Sequence, residues 1–226
     1  MNSPKYLLSA SMLAFAVSAY ADPAPLINEG FDYKDPITSL TSNGWLLINQ
    51  STPIGSTNWA QGDASIFAAQ TGGPVAGDAA YMSANYNNGV AGGSINNWLI
   101  TPTFSTELAG TVSFWAKAAI DAPFFDKLRV GFSDGSTDTL DFSLSKALTV
   151  SGDWVQYSFS YASGGVGSFG RFAIDYTGWA DNANYVGIDT LTVTPVPEPS
   201  TWAMFGLGLA GLVAYSRRRA KSEAKA

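Results

Sequence analysis

The sequence predicts an all-β fold: a two-sheet antiparallel sandwich of the jelly-roll kind, with an N-terminal signal helix and a short C-terminal transmembrane helix. Three observations carry this. Apolar residues in the middle of the chain recur at period two. Gly, Asn, Asp and Ser bound each alternating run, as turn residues bound strands. The middle shows neither a long helical period nor an internal repeat.

The elements follow in order. Residues 1–21 read as a secretory signal. Lys5 supplies the positive charge, residues 6–17 are mostly apolar, and Ala19-Tyr20-Ala21 is a cleavage site for signal peptidase. That apolar run is too short for a permanent span. Strands are expected near residues 26–32, 45–49, 65–69, 79–84 and 97–101. The Gly/Ala/Asn-rich stretch 62–93 is expected to be mainly irregular, with Asn87-Asn88-Gly89 and Gly92-Gly93 as turns.

Beyond it the alternation is regular. Val112, Phe114 and Ala116 form one face, as do Leu128, Val130 and Phe132, then Val155, Tyr157, Phe159 and Tyr161, then Phe172, Ile174 and Tyr176. Each pattern fits an antiparallel strand with one buried and one wet face. The last strand, 185–194, breaks its own parity: Val186 and Ile188 share one, Leu191 and Val193 the other. Both pairs reach one core only if an extra residue is absorbed, which predicts a β-bulge near Asp189-Thr190.

The far end carries a second signal. Pro195-Val196-Pro197-Glu198-Pro199 resists helix and strand. Residues 201–215 are uncharged, and as helix they rise about 22 Å against a hydrocarbon core of about 30 Å. Arg217, Arg218 and Arg219 follow, with Lys221 and Lys225 beyond. The positive-inside rule keeps this cluster cytoplasmic and places residues 22–200 outside. A short hold beside an exposed Pro-rich site describes a transient anchor. The chain thus divides into a signal at 1–21, a sandwich at 22–194 and a tail at 195–226.

The tail resembles the PEP-CTERM sorting domain: Pro197-Glu198-Pro199, the apolar stretch 201–215 and Arg217–Arg219 match its parts in order and spacing. The resemblance implies cleavage by an exosortase-type membrane enzyme and release or transfer to the cell surface, in bacteria that make exopolysaccharide. The middle resembles the choice-of-anchor J domain, itself similar to cleaved-adhesin and MAM-type jelly rolls. The matching stretches run from Asn28-Glu29-Gly30-Phe31-Asp32 through Gly44-Trp45, Asn49-Gln50-Ser51 and Asn58-Trp59. They continue with Ser83-Ala84-Asn85-Tyr86, Trp98-Leu99-Ile100-Thr101-Pro102, Ser113-Phe114-Trp115 and Val186-Gly187-Ile188-Asp189. This implies surface adhesion or matrix association without a shared catalytic activity. It also implies a structural calcium between the first and last strands, for which Glu29, Asn85 and Asp189 are the candidates. The plainer reading of those three is turn formation and solvated charge.

Composition excludes several chemistries. Residues 22–194 hold sixteen Asp/Glu and six Lys/Arg, so the exported part is near −10 although the whole chain is −6. That opposes nucleic-acid partners, which need basic surface. With no His and no Cys, Ser-His-Asp and Cys-His catalysis have no base or nucleophile, and zinc loses its usual ligands. Disulfides are excluded as well. Paired carboxylates could still hydrolyse a polysaccharide. A Gly-x-Gly-x-x-Gly run at 165–170 sits before a strand rather than a helix, so it reads as a hairpin loop and not a dinucleotide site.

Trp154 and Trp179 are the candidates for sugar contact: Trp154 has the outward parity of its strand and Trp179 lies in a loop. Trp45 and Trp98 are expected in the core. The leading expectation is a non-enzymatic surface or matrix protein that associates with exopolysaccharide or surface glycans. The alternatives are a carboxylate-dependent polysaccharide-active enzyme and an ice-binding-type surface protein. The last would need a flat Thr-rich repeat that the sequence does not show.

Overall fold

The computed structural model describes residues 24–196, 206–213 and 215–216. The expected signal helix, Ala19, Ala21, Pro197, Glu198, Pro199 and Arg217–Arg219 lie outside those residues, as do residues 201–205 and 214 of the expected membrane segment. Residues 206–213 are helical. Among the described residues no helix is long and apolar enough to cross a membrane.

Two antiparallel sheets face each other, as in a jelly-roll sandwich. The first is ordered β12 (Val155–Tyr161), β8 (Gly110–Ala118), β14 (Tyr185–Pro195), β5 (Met82–Asn85) and β4 (Ala60–Gln61). β1 (Ile27–Glu29) also pairs with β14. The second is ordered β10 (Ser143–Leu144), β9 (Lys127–Ser133), β13 (Phe169–Trp179), β6 (Gly89–Ile100) and β2 (Leu46–Asn49). β3 (Thr52–Ile54), β7 (Phe104–Ser105) and β11 (Leu148–Thr149) extend it.

One short helix was not anticipated: α1 (Pro36–Ser42), started by Pro36 and capped by the Asp35 carboxylate, which accepts from the Thr38 amide at 3.2 Å.

The core fills the space between the sheets with the residues that alternation selects. Val112, Phe114 and Ala116 of β8 and Val186, Ile188, Leu191 and Val193 of β14 meet Leu128, Val130, Phe172, Ile174 and Tyr176. The bulge lies where parity demands it. Asp189 pairs with Trp115 and Thr192 with Ser113, so β14 spends three steps against two, with Thr190 at φ 47°.

The outer faces depart from the expectation of water. Residues 62–81 fold back over the first sheet, packing Phe67 and Tyr81 against Tyr185. Gly187 makes room for them, since a Cβ there would stand 2.8 Å from Phe67 and 2.9 Å from Tyr81. No strand forms at 65–69, because that segment is part of this cover. Within the stretch 62–93 the strand expected near 79–84 is β5, and the start of β6 replaces the turn expected at Gly92-Gly93, which are strand residues.

On the second sheet Trp98, Ile100, Ala173 and Phe142 form a separate outer cluster, so Trp98 lies outside the main core. The loop after β9 reaches over that face, with the Thr139 hydroxyl donating to Gln50 Oε1 at 3.0 Å. The 165–170 run joins β12 of one sheet to β13 of the other and is therefore a crossing connection, not a hairpin.

The sandwich has two poles, and β14 spans them: its eleven residues extend about 33 Å. It begins at Tyr185 and ends where Pro195 pairs with Gly110 and the Val196 amide donates to Ala109 O at 2.7 Å.

Candidate functional site

Three segments remote in sequence meet at the pole where β14 begins: residues 85–89, 119–126 and 179–184. Backbone bonds knit them. The Phe125 amide donates to Asn182 O, Tyr86 to Asn184 O and Ala119 to Tyr185 O, each at 2.9 Å.

Behind them sits Asp126, fully buried. It accepts from the Tyr176 hydroxyl at 2.5 Å, the Asn184 amide at 2.9 Å and the Tyr185 amide at 3.2 Å. Burial lifts its carboxyl above the usual range, with those three donors pulling the other way. One carboxylate thus fixes the 119–126 loop to the 180–184 turn.

The front of this pole is a cleft of about 530 Å³ lined by Tyr86, Asn87, Asp121, Phe124, Asp181 and Asn184. Asp181 is oriented by the Gly92 amide, which donates to its Oδ1 at 2.9 Å. Ala183 also lines a second, smaller well of about 70 Å³, formed with Phe125, Lys127, Thr177 and Trp179. Lys127 Nζ stands 4.8 Å from the Phe125 ring centre. Tyr86, Phe124, Phe125 and Trp179 are all exposed, Trp179 most of all at 62%. Rings in water beside carboxylates and amides can stack on an apolar ring face while the polar groups bond to its rim.

The sequence-stated candidates fare unequally. Trp179 stands at this pole, exposed in the smaller well. Trp154 does not: although its parity is outward, it is half-buried beneath the 62–81 cover. Its Nε1 donates to Ala68 O at 3.0 Å and its ring meets Phe67 and Tyr81 edge-on. Parity gave the face correctly, and the loop then covered that face.

Glu29, Asn85 and Asp189 are not brought together. Glu29 pairs with Leu191 on the inward parity; its oxygens accept from the Phe31 amide and the Tyr33 hydroxyl, both at 2.8 Å. Asp189, on the outward parity, accepts from the Thr71 amide at 3.0 Å and the Thr190 hydroxyl at 3.1 Å. Asn85 pairs with Tyr185, four steps and about 13 Å along β14 from Asp189, and caps the turn 86–88. No three or more acidic residues converge as a metal cage among the described residues. The three side chains therefore do not fit one shared calcium; each instead holds a backbone segment in place. Burial raises the Glu29 and Asp189 carboxyls.

Comparisons with known proteins agree with this architecture. Residues 195–219 match the PEP-CTERM protein-sorting motif. The fold is that of the cleaved adhesin domains of the Porphyromonas gingivalis Lys-gingipain. Its K1 domain is 19% identical, with a TM-score of 0.55 over 76% of this chain and 98% of that domain. The K2 domain is 15% identical, with a TM-score of 0.54 over 74% and 98%. The K3 domain is 20% identical, with a TM-score of 0.51 over 76% and 99%. No curated protein matches. The chain is an exported, exosortase-sorted surface protein: a cleaved-adhesin-like β-sandwich carrying a PEP-CTERM sorting motif.

Proposed function

We propose that the domain is a non-enzymatic glycan-binding module of the cell surface, holding exopolysaccharide or surface glycans at the pole formed by residues 85–89, 119–126 and 179–184. The observation that carries this is the pair of exposed rings Tyr86 and Phe124 in a cleft with Asp121, Asp181, Asn87 and Asn184, next to a smaller well where Phe125 and Trp179 are exposed, the two sharing Ala183. A binding role is favoured over hydrolysis because the carboxyls lifted by burial are engaged elsewhere. Glu29, Asp126 and Asp189 accept backbone amides, and Asp175 faces Arg129. A glycosidase needs such a lifted acid at the scissile bond.

The orientation suits display. Ile27 pairs with Val193 at the opposite pole, so both ends of the domain leave about 30 Å from the cleft. The test is retention of the secreted mature protein on the host's own exopolysaccharide and on a glycan array. Retention that survives Trp179→Ala with Phe124→Ala, or no retention on any glycan, removes the reading.

A further inference from the structure

The opposite pole carries its own exposed apolar groups, and the glycan reading does not use them. Leu26, Leu108, Val166, Phe169 and Val196 are all exposed, Val166 at 99%. They lie on segments bonded into one platform. The Leu26 amide donates to Val193 O at 2.7 Å and the Val196 amide to Ala109 O at 2.7 Å. Gly164 donates to Thr106 O at 2.8 Å and Thr106 to Ser168 O at 3.0 Å. Gly167 donates to Glu107 Oε1 at 3.0 Å, while Phe169 pairs with Ser105.

Val166 sits at the tip of the crossing connection because Gly165 and Gly167 adopt φ 88° and 79°, a region open to glycine. An apolar side chain is thus pushed fully into solvent by a braced turn.

The sorting tail leaves from this same pole. Val196 ends the described domain, and the uncharged stretch begins at Thr201, five residue steps later. Fully extended, five steps reach about 17 Å, so with that stretch held in a bilayer the pole cannot stand farther than this from the membrane. The polar interface is itself about 6 Å deep on each side.

We propose that this pole is a lipid-contacting surface, which seats the domain of the unprocessed chain on the outer face of the inner membrane through Leu26, Leu108, Val166, Phe169 and Val196. The proposal rests on residues 201–215 being held in the bilayer. The segments 102–109, 134–142 and 162–169 contain four acids and no Lys or Arg. The contact is therefore apolar insertion among zwitterionic headgroups, not attraction to anionic lipid, which needs a basic segment. This contact orients the domain so that the cleft points away from the membrane.

The chain has no cysteine, so a single introduced one reports its position alone. The full precursor carrying Val166→Cys, or Ser158→Cys on the wet face of β12, is labelled with an environment-sensitive dye and reconstituted into phosphatidylcholine vesicles holding a lipid-borne quencher. At least threefold stronger quenching at position 166 is expected; equal quenching in vesicle-bound precursor overturns the lipid contact. Precursor that does not associate with vesicles at all overturns the membrane-held tail, and the contact with it. In the producing cell, Val166→Asp with Phe169→Asp is expected to slow tail processing severalfold while export continues. Processing at the unaltered rate counts against the proposal.

Discussion

At the pole where β14 begins, the exposed apolar groups include four rings: Tyr86 and Phe124 beside Asp121, Asp181, Asn87 and Asn184, and Phe125 and Trp179 in the well next to them. At the pole where it ends they are mostly aliphatic, with Phe169 the one ring, and they sit on turns whose polar groups are bonded inward. The difference is one of direction. Rings beside unspent acceptors can select a ligand by geometry, whereas aliphatic tips on a closed backbone gain only from leaving water. Both poles hang on one framework, so a residue's effect depends on whether it touches a pole or the frame.

The largest expected effect is in the frame. Phe114 packs between the sheets against Tyr157, Phe159 and Phe172. Phe114→Ala should cost about 3–5 kcal/mol in denaturant unfolding, and both poles should fail together in glycan retention and vesicle quenching. If only one fails, the poles are not mechanically coupled through the core.

Next comes the separation itself. Trp179→Ala with Phe124→Ala should weaken glycan binding about 100-fold, near 2.7 kcal/mol, with dye quenching at position 166 unchanged. Binding constants from titration on purified exopolysaccharide check this.

A third test probes the frame by pH. Asp175 is buried beside Arg129, whose Nη2 lies 2.5 Å from its Oδ2. Burial lifts its carboxyl to about 7, outweighing the guanidinium. Folded, it keeps its proton up to that point; unfolded, it releases it near pH 3.9. Its contribution is therefore full below the lower value and lost as pH rises through about 7. Burial raises Glu29, Asp126 and Asp189 in the same direction. The melting midpoint should rise on going from about pH 8 to about pH 5.5, and Asp175→Asn should shrink that rise. A midpoint that falls on acidification contradicts the assignment.

The smallest effect is local. Trp154→Phe keeps a ring against Phe67 and Tyr81 but loses the bond to Ala68 O, costing about 1 kcal/mol. It should speed proteolytic nicking within residues 62–81 and leave both poles active.

The strands were legible because period two is local. Phe114 and its neighbours name their face without help from the rest of the chain, and the broken parity of β14 located the bulge at Asp189-Thr190. What period two does not say is which wet face a loop will cover. The parity of Trp154 predicts an outward side chain, and it is outward, yet residues 62–81 roof it. Trp98 likewise left the main core for an outer cluster closed by Phe142. The cleft was illegible for a related reason. Tyr86, Phe124 and Asp181 carry no shared spacing, and only the meeting of three turns behind Asp126 puts them together. Gly and Asp/Asn around Trp179 predict a loop, whereas Trp179 is the last residue of β13, paired with Ser94 at the edge of the 180–182 turn; its exposure agrees with the expectation, and its neighbours at the pole carry no signal of their own.

β14 lies between β8 and both β1 and β5, hydrogen-bonded along both edges. Its ladder bonds run across the strand. A tug between something gripped near Tyr185 and an attachment beyond Pro195 therefore pulls along the strand and loads those bonds in shear. Such bonds give way together instead of unzipping one by one, so a pull applied through both poles would be resisted by the whole ladder at once.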